Sequence, residues 1–491
     1  LTQEPQPLIS RVIEAGYQLT PEAFSHLQAM PPEQLNRLVQ RALTEAESKP
    51  EVYVLDMEFL SSLQEPAPAP GRAQPAFMEI ESRFEVISTG ESEPVGDVDG
   101  FIDYFNNRFK KLETILRNRL DVRDALPLSQ ALKLPVKTKF KTIGIVAGKS
   151  SKNNRLFIDL EDPESSVTVM VSGEEAVKKG LEVLEDQVIC VDGLKYRDDL
   201  LIANDLIWPD VPMHETGRAE EPVHAVFVGD VHVGSKYFRA DLFDRFIKWM
   251  NKELGPPASR DLAAKVKYLI ITGDLVDGIG IYPEQLDELT ITTQEAQYEE
   301  AARLLSHLPP HVEVFVIPGN HDAVRRSLPQ PPIPEKYAPA LYRNPRIHLL
   351  PSPCTLSLHG VKVLLFHGKA LDDVLSSTPG HDFHSPVNGL ELLVRCRHVA
   401  PIYGQSTPIA PEKVDRLVMD TIPDVVAVGH IHIHQTKKYH NISLICSGSF
   451  QEQTPFQRRM KLVPTPGVIS VYNLMNHQQI PLDLERLGRA P

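Results

Sequence analysis

The sequence predicts a multidomain chain: a small helical module at the N-terminus, a five-stranded β-barrel in the middle, and a C-terminal α/β domain. Three observations carry this. A length of 491 residues leaves room for about three domains at roughly 100–200 residues each. A Pro/Ala-rich stretch, Glu65–Gly71, parts an early helical pattern from the rest. From residue 223 onward, apolar strands alternate with helices, the pattern of an α/β domain. Hydrophobic residues at 42% and charged residues at 24% are ordinary for a globular chain and exclude wholesale disorder. A net charge of −14 excludes a surface that is cationic all over, so contact with nucleic acid must use a local patch or a partner chain. The four cysteines (Cys190, Cys354, Cys396, Cys446) are far apart and form no CxxC. That argues against a disulfide framework or a cysteine zinc site and fits a reducing, cytoplasmic setting. No apolar run nears ~18 residues, so no membrane span is expected. No basic segment followed by an apolar core marks a signal peptide. Leu1 is not methionine, which points to a trimmed chain or an unusual start.

Residues 1–64 read as the helical module. Two or three short helices fall within 8–48, with Thr20-Pro21-Glu22 and Pro31-Pro32-Glu33 as starts. Residues 65–75 cannot pack a core and read as a semi-rigid extended linker. Residues 76–135 form a connector: a strand within Phe77–Ile87, then a helix over 99–123 with Ile102, Phe105, Phe109, Leu112, Ile115 and Leu116 at helical spacing. Residues 136–212 change to short strands: Phe140–Ala147, Leu156–Leu160, Val167–Val171, Gln187–Leu194 and Leu200–Ile207. A helical stretch, Gly173–Gly180, follows the third strand. This is the pattern of a small Greek-key barrel of the OB type. Between Arg108 and Arg155 there are 13 Lys/Arg against three acids. Two readings stay open for that run: a solvated helix face with basic barrel loops, or a phosphate-backbone footprint beside the barrel. Residues 220–491 are the α/β domain.

Five apolar strands of that domain each run into polar residues. Ala225–Val228 leads to Gly229-Asp230-Val231-His232, and Tyr268–Thr272 to Gly273-Asp274. Val312–Ile317 leads to Pro318-Gly319-Asn320-His321-Asp322. Val361–Phe366 leads to His367-Gly368, and Asp424–Val428 to Gly429-His430-Ile431-His432. Strand C-termini in an α/β sheet converge on one edge, where ligand sites sit. In Asp230-x-His232 and His430-x-His432 an extended segment would place both side chains on one face. Imidazole with carboxylate suits Mn²⁺, Fe²⁺ or Zn²⁺, and there are too many donors for one ion. A shared carboxylate can bridge two ions that clamp the attacking and leaving oxygens of a phosphoryl displacement. Each motif alone is also compatible with a simple strand-end turn; the five in order point to the site.

That order of motifs resembles the calcineurin-like metallophosphoesterases over residues 223 to about 450. The wider layout narrows the resemblance. Val228-Gly-Asp-Val-His-Val-Gly-Ser-Lys236, Gly273-Asp-Leu-Val-Asp-Gly278, Ser447-Gly-Ser-Phe-Gln-Glu-Gln-Thr454 and Pro464-Thr-Pro-Gly467 are similar to the small-subunit family of archaeal family D DNA polymerases. That family is related to the eukaryotic polymerase B subunits. By that resemblance Asp230, His232, Asp274 and His432 hold a first metal. Asp274 as bridge, with Asn320, His367 and His430, holds a second. His321 orients the phosphate or acts as general acid, and Asp322 holds His321. The resemblance implies two divalent ions, Mn²⁺ first, with Fe²⁺, Zn²⁺ or Mg²⁺ as alternatives. It implies a proofreading 3′→5′ exodeoxyribonuclease, with DNA polymerase activity only in a heterodimer or larger complex with the large catalytic subunit. DNA, single-stranded or at a primer 3′ end, and a sliding clamp reached through the complex are the further partners. Arg325 and Arg326 are candidate DNA contacts or a solvent-facing loop, and Gln457–Lys461 a candidate contact for DNA or the large subunit. A non-catalytic B-subunit scaffold and a phosphatase on the same fold are the alternatives.

Overall fold

The computed structural model describes residues 12, 15, 17–28, 32–47, 54–63, 80–88, 97–153 and 155–487. The chain divides into two compact units, 1–76 and 77–491. The expected linker at 65–75 and the Phe77 end of the expected strand lie outside the described residues.

In the first unit β1 (Gln18–Leu19) precedes α1 (Pro21–Gln28) and α2 (Pro32–Glu47), and β2 (Val54–Leu55) precedes α3 (Met57–Leu63). β1 and β2 pair in parallel. Thr20 Oγ1 accepts the Ala23 N–H at 3.3 Å and Asp56 Oδ1 accepts the Phe59 N–H at 2.8 Å, so α1 and α3 begin on side-chain caps. Leu27, Leu38, Val39, Ala42 and Leu60 close a small core.

The second unit opens with β3 (Phe84–Ser88) and α4 (Val98–Arg117), the latter capped by Asp97, which accepts the Gly100 N–H. α4 stops at Arg117, short of the expected 123, because its apolar face ends at Leu116; Leu120 lies in the turns beyond and is exposed. The barrel strands are β4 (Lys139–Lys152), β5 (Arg155–Glu161), β6 (Ser166–Val171), β7 (Val188–Arg197) and β8 (Leu200–Ile207), with α5 (Glu174–Glu182) after the third. They close in the order β4-β5-β6-β8-β7, with β6 and β8 parallel. A helix after the third strand and this order make an OB-type barrel. β4 runs past Ala147, where the expected strand ended, to Lys152, because Lys149–Lys152 pairs back onto β5.

The C-terminal region runs through β9 (His224–Val228), α6 (Ala240–Met250), α7 (Pro257–Ala264), β10 (Val266–Ile271), α8 (Gln294–Leu305), β11 (Glu313–Val316) and β12 (Ile347–Leu349). It continues through β13 (Cys354–Leu358), β14 (Val361–Leu365), α9 (Leu371–Ser377), α10 (Pro386–Cys396), β15 (Val425–Val428), β16 (Gln435–Tyr439) and β17 (Ile442–Cys446). It ends with α11 (Pro455–Arg459), β18 (Val468–Asn473) and β19 (Gln479–Asp483). The five strand endings come from two sheets. There are two six-stranded sheets, β12-β11-β10-β9-β18-β19 and β16-β17-β15-β14-β13-β3. They face each other across Phe227, Ile270, Phe315, Val363, Leu365 and Ala427. Phe246, Trp249 and Tyr298 of α6 and α8 cover the outer face of the first sheet. Leu371, Leu390 and Leu393 of α9 and α10 cover the second, where barrel residues Leu206 and Trp208 join the same cluster. This is a phosphoesterase-like α/β domain. β3 pairs antiparallel with β13, so residues placed in the connector complete an edge of its second sheet.

Part of the basic run is spent within the chain. Arg108 is fully buried: its Nε donates to Asp415 Oδ2 at 2.8 Å, and its NH1 donates to the carbonyls of Asp186 and Pro401. Lys111 pairs with Asp420, Arg117 with Glu113 and Arg119 with Asp121. Lys149 donates to the Leu181 and Val183 carbonyls. Lys110, Arg123, Lys133, Lys137, Lys139, Lys152 and Arg155 of the same run remain exposed. Among the described residues no helix is long and apolar enough to cross a membrane.

Candidate metal centre

β9, β10 and β11 of the first sheet and β14 and β15 of the second bring their C-terminal ends to one place, because the sandwich aligns parallel strands across its core. The donors then sit in turns and not on extended backbone. Asp230 (φ 52°), His232 (φ 53°), Asp274 (φ 50°), His430 (φ 72°) and His432 (φ 64°) all adopt left-handed conformations. The i,i+2 extended-face expectation is therefore wrong for both pairs. The chain curls immediately after each strand, and cross-strand bonds hold the curl. Asp230 N–H donates to the Gly273 carbonyl, His232 N–H to the Asp274 carbonyl and Phe450 N–H to the Asp230 carbonyl. Such backbone costs about 1–3 kcal/mol per non-glycine residue and concentrates at functional sites. Glycine is required where these turns touch. A Cβ on Gly319 would fall 2.1 Å from Asp274 Oδ1, and one on Gly429 would fall 2.6 Å from Asp230 Oδ2.

Among the described residues, three groups of donors lie close enough to share a cation: Asp230, His232 and His432; Asp274, His367 and His430; and His232, Asp274 and His321. Asp274 stands between the first two groups. Its Oδ2 is 3.2 Å from His367 Nε2 and 3.8 Å from His232 Nε2. Asn320 Oδ1 is 3.0 Å from His367 Nε2. His232 Nε2 and His432 Nε2 are 3.2 Å apart, and Asp230 Oδ1 is 3.4 Å from His432 Nε2. Asp230 Oδ1 and Oδ2 also accept the His430 N–H at 3.0 and 2.9 Å.

Fixed acceptors decide which ring nitrogen is available. His367 Nδ1–H donates to the Thr272 carbonyl at 2.9 Å and His321 Nδ1–H to the Asp277 carbonyl at 2.7 Å. His232 Nδ1–H donates to Asp277 Oδ1 at 3.0 Å. Each ring thus turns its Nε2 inward, as metal-ligating histidines do when the other nitrogen is tied to an oxygen acceptor. His430 Nε2 meets Asp372 Oδ2 at 3.0 Å, which leaves its Nδ1. The Gln457 side-chain amide lies 3.0 Å from His432 Nδ1. Buried carboxylates, a carboxamide oxygen and imidazole nitrogens, with no thiolate, fit hard-to-borderline divalent cations.

Electrostatics agree with that chemistry. Burial opposes ionisation of Asp230 and Asp274, but the surrounding histidines outweigh it; Asp230 is held below its ordinary value and Asp274 well below. Burial also opposes protonation of His367, yet the Asp274 carboxylate beside it raises that ring to about 9. Asp322 is raised to about 6, first by burial and then by the Asp274 charge.

Asp322 does not hold His321, contrary to the role the resemblance implied. Its Oδ2 accepts the Gly319 and Leu275 N–H groups, and its Oδ1 accepts from Tyr298 Oη. It staples the β11 turn to the β10 turn. The group that holds His321 is Asp277, which the strand-end motifs did not single out. Arg325 points away from a substrate role: its guanidinium donates to the Pro329 carbonyl and pairs with Glu412. Arg326 is exposed, donates to the Gly280 and Ile281 carbonyls, and lines a small recess with Asn320, His367 and Lys369. A larger groove of about 930 Å³ runs past Pro329, Pro331, Leu350 and Met419, and none of the clustered donors lines it. Asp277, Asp372 and Gln457 are the additions made by the structure. Asp277 was visible in the motif Gly273–Gly278 and Gln457 in the basic stretch Gln457–Lys461, though as a DNA or large-subunit contact and not as a neighbour of His432; nothing local to Asp372 marks it.

The model of the DNA polymerase alpha/epsilon B-subunit family matches residues 225–441. The chain is 37% identical over 423 residues to the DNA polymerase II small subunit of Archaeoglobus fulgidus, covering 84% of this chain and 85% of that protein. It is 40% identical over 395 residues to the protein of the same name from Methanothermobacter thermautotrophicus, covering 79% and 81%. Among solved structures, an archaeal phosphodiesterase aligns over 53% of this chain and 99% of its own at 11% identity, with a TM-score of 0.27. At that level the fold rests on the strand order and not on the likeness. Identity of this size over most of both chains settles the family: this chain belongs to the archaeal DNA polymerase II (family D) small subunits, within the polymerase alpha/epsilon B-subunit group.

Proposed function

We propose that this chain is the proofreading 3′→5′ exonuclease subunit of a family D DNA polymerase, hydrolysing the terminal phosphodiester of a DNA strand with two divalent cations. The observation that carries this reading is the pair of buried donor clusters meeting at Asp274. A subunit that served only as a scaffold has no need of five donors in strained left-handed conformations, each costing stability. Asp230, His232, Asp274 and His432 would hold one ion; Asp274, Asn320, His367 and His430 would hold the other. Bound there, the ions would supply a water nucleophile at neutral pH and neutralise charge developing on the phosphoryl oxygens. Mn²⁺ is the first choice for this donor set.

The chain's own residues do the rest. The Asp277 carbonyl fixes His321 with Nε2 facing the centre, and the His321 backbone N–H donates to Asp274 Oδ1 at 2.8 Å. A protonated His321 Nε2 would give its proton to the departing O3′. Attack by water on the terminal phosphorus breaks the P–O3′ bond, releasing a nucleoside 5′-monophosphate and leaving a 3′-hydroxyl on the shortened strand. Arg326, exposed beside Asn320, would meet the strand's backbone. The partner is the large polymerase subunit, as the name of the relatives implies, and polymerisation belongs to that complex.

The test is digestion of a 3′-mismatched primer–template, labelled at its 5′ end, with Mn²⁺, with Mg²⁺ and with chelator. A ladder shortening from the 3′ end, needing metal and falling more than ~100-fold in Asp274→Asn, is expected. Equal rates for wild type and variant would remove the nuclease reading and leave a docking subunit. Faster turnover of a small phosphomonoester than of the primer would make the chain a phosphatase.

A further inference from the structure

α11 carries a surface that the hydrolytic chemistry does not use. Phe456 is 60% exposed, Met460 52% and Val463 65%. Large apolar side chains this exposed, and this close together in sequence, are uncommon on a surface that faces only water. Phe456, Arg459 and Met460 stand at i, i+3 and i+4, so they share one face of the turn. Arg458, Arg459 and Lys461 are also exposed, and the stretch 453–467 holds no acid. Among the described residues Arg459 and Lys461 pair with no carboxylate. In a chain of net charge −14, an acid-free cationic patch around an exposed aromatic ring is a local exception.

The patch is continuous with the metal centre. Thr454 and Gln457 form a capping box at the start of α11, so the side chain of Gln457 is fixed by the helix's own first turn. The amide of Gln457 then reaches His432 Nδ1 at 3.0 Å. At the far end of the segment the Thr465 N–H donates to the His432 carbonyl at 2.8 Å. Gln453 Nε2 donates to the Leu462 carbonyl at 2.6 Å, which closes the loop on itself. The segment is thus built and anchored at both ends on a clustered histidine, while its outward face stays apolar and cationic.

We infer that this face, Phe456 with Arg459, Met460 and Lys461, is the seat of the single-stranded 3′ end of the DNA substrate: Phe456 stacks on a base and the two cations hold the adjoining phosphates. The inference rests on the exonuclease reading for its substrate, and adds where the strand lies. Aromatic stacking suits a nuclease that must accept any base, since every base has a π-face. An unpaired strand end offers such faces, whereas paired bases are stacked already.

The test is binding of the full chain to a fluorescein-labelled single-stranded oligonucleotide, by anisotropy, in chelator so that nothing is cut. Phe456→Ala is expected to weaken binding by roughly 5- to 100-fold, and Phe456→Trp to restore it. Phe456→Leu keeps apolar bulk without the ring and should behave as the alanine variant. Arg459→Ala with Lys461→Ala should lower the magnitude of the log–log salt slope by about 1.4, as two lost phosphate contacts require on a single strand. Hydrolysis of bis(p-nitrophenyl) phosphate, which carries no base and no neighbouring phosphate, should stay at the wild-type rate in all four. Unchanged oligonucleotide affinity in Phe456→Ala and in the double variant overturns the inference even if digestion proceeds normally. So does loss of large-subunit association with DNA binding intact, which would make the face a protein contact. If the wild type cuts no DNA but the binding losses appear as stated, the strand seat stands and the exonuclease reading falls.

Discussion

Asp277 shows what a single residue contributes to the centre without touching its middle. Its carboxylate takes the His232 Nδ1–H and the Gln451 amide, while its carbonyl takes the His321 Nδ1–H. One residue therefore sets the tautomer of a proposed metal ligand and of the proposed acid. Burial would raise its pKa, but the bond and charge of His232, together with His321 and the Gln285 amide, outweigh burial and hold it below the ordinary carboxylate value. Asp277→Asn keeps the shape but halves the acceptors and turns an N–H₂ toward a donor. The expected result is a 10- to 100-fold weaker metal affinity, read as a shift of the Mn²⁺ concentration giving half-maximal digestion, with the rate at saturating Mn²⁺ largely recovered. An unchanged half-maximal concentration would show that His232 needs no such partner. The donors were legible because each follows an apolar run directly. Asp277 lies three residues beyond a donor in an irregular turn, where no period fixes side-chain direction. Asp372 is contributed by α9 and Gln457 by α11, neither of which is a strand ending.

At the scale of elements, the strand endings and the barrel order could be read because burial imposes a strong pattern on short strands. The pairing of the strands was less visible. β3 is a five-residue edge strand whose partner, β13, begins 270 residues after it, and nothing in Phe84–Ser88 names that partner. The number of sheets was hidden for a similar reason, since continuous apolar strands look alike in one sheet or in two stacked ones. α4 was legible as a helix, but its basic face misled, because Arg108 turns inward to bind the barrel turn and the α/β domain together. Arg108 meets Asp415, and Asp415 Oδ2 also accepts from His398 Nε2–H at 2.9 Å. Removing one partner of a buried pair leaves the other unpaired at a cost of about 3–5 kcal/mol. Asp415→Ala should lose that much by denaturant titration. A loss under about 1 kcal/mol would mean that water reaches Arg108.

At the scale of the molecule, the same network gives the second unit an acid limit, because it fastens the barrel to the α/β domain through groups that must keep their charge states. The Ala400 N–H donates to His398 Nδ1, which fixes the neutral ring with its proton on Nε2. Burial, reinforced by the Arg108 charge, lowers His398 to about 4, whereas an unfolded histidine titrates near 6.5. Between those values the unfolded chain binds a proton that the folded chain refuses. Stability therefore falls as pH drops from about 6.5 to 4, by up to roughly 3 kcal/mol for this group. Asp415 acts in the same sense further down. Burial opposes its ionisation, but His398 and Arg108 hold it well below the ordinary carboxylate range. Its contribution is present above about pH 4 and is lost as pH falls toward its folded value. His398→Gln keeps an N–H aimed at Asp415 and removes the titration. The gap in melting temperature between wild type and His398→Gln should be widest near pH 7.5 and should narrow steadily toward pH 4.5. Chelator in both samples lets the histidines of the metal centre contribute equally. Parallel melting curves across that range would mean that His398 takes up its proton in the folded state, and the acid limit would have to come from elsewhere in the chain.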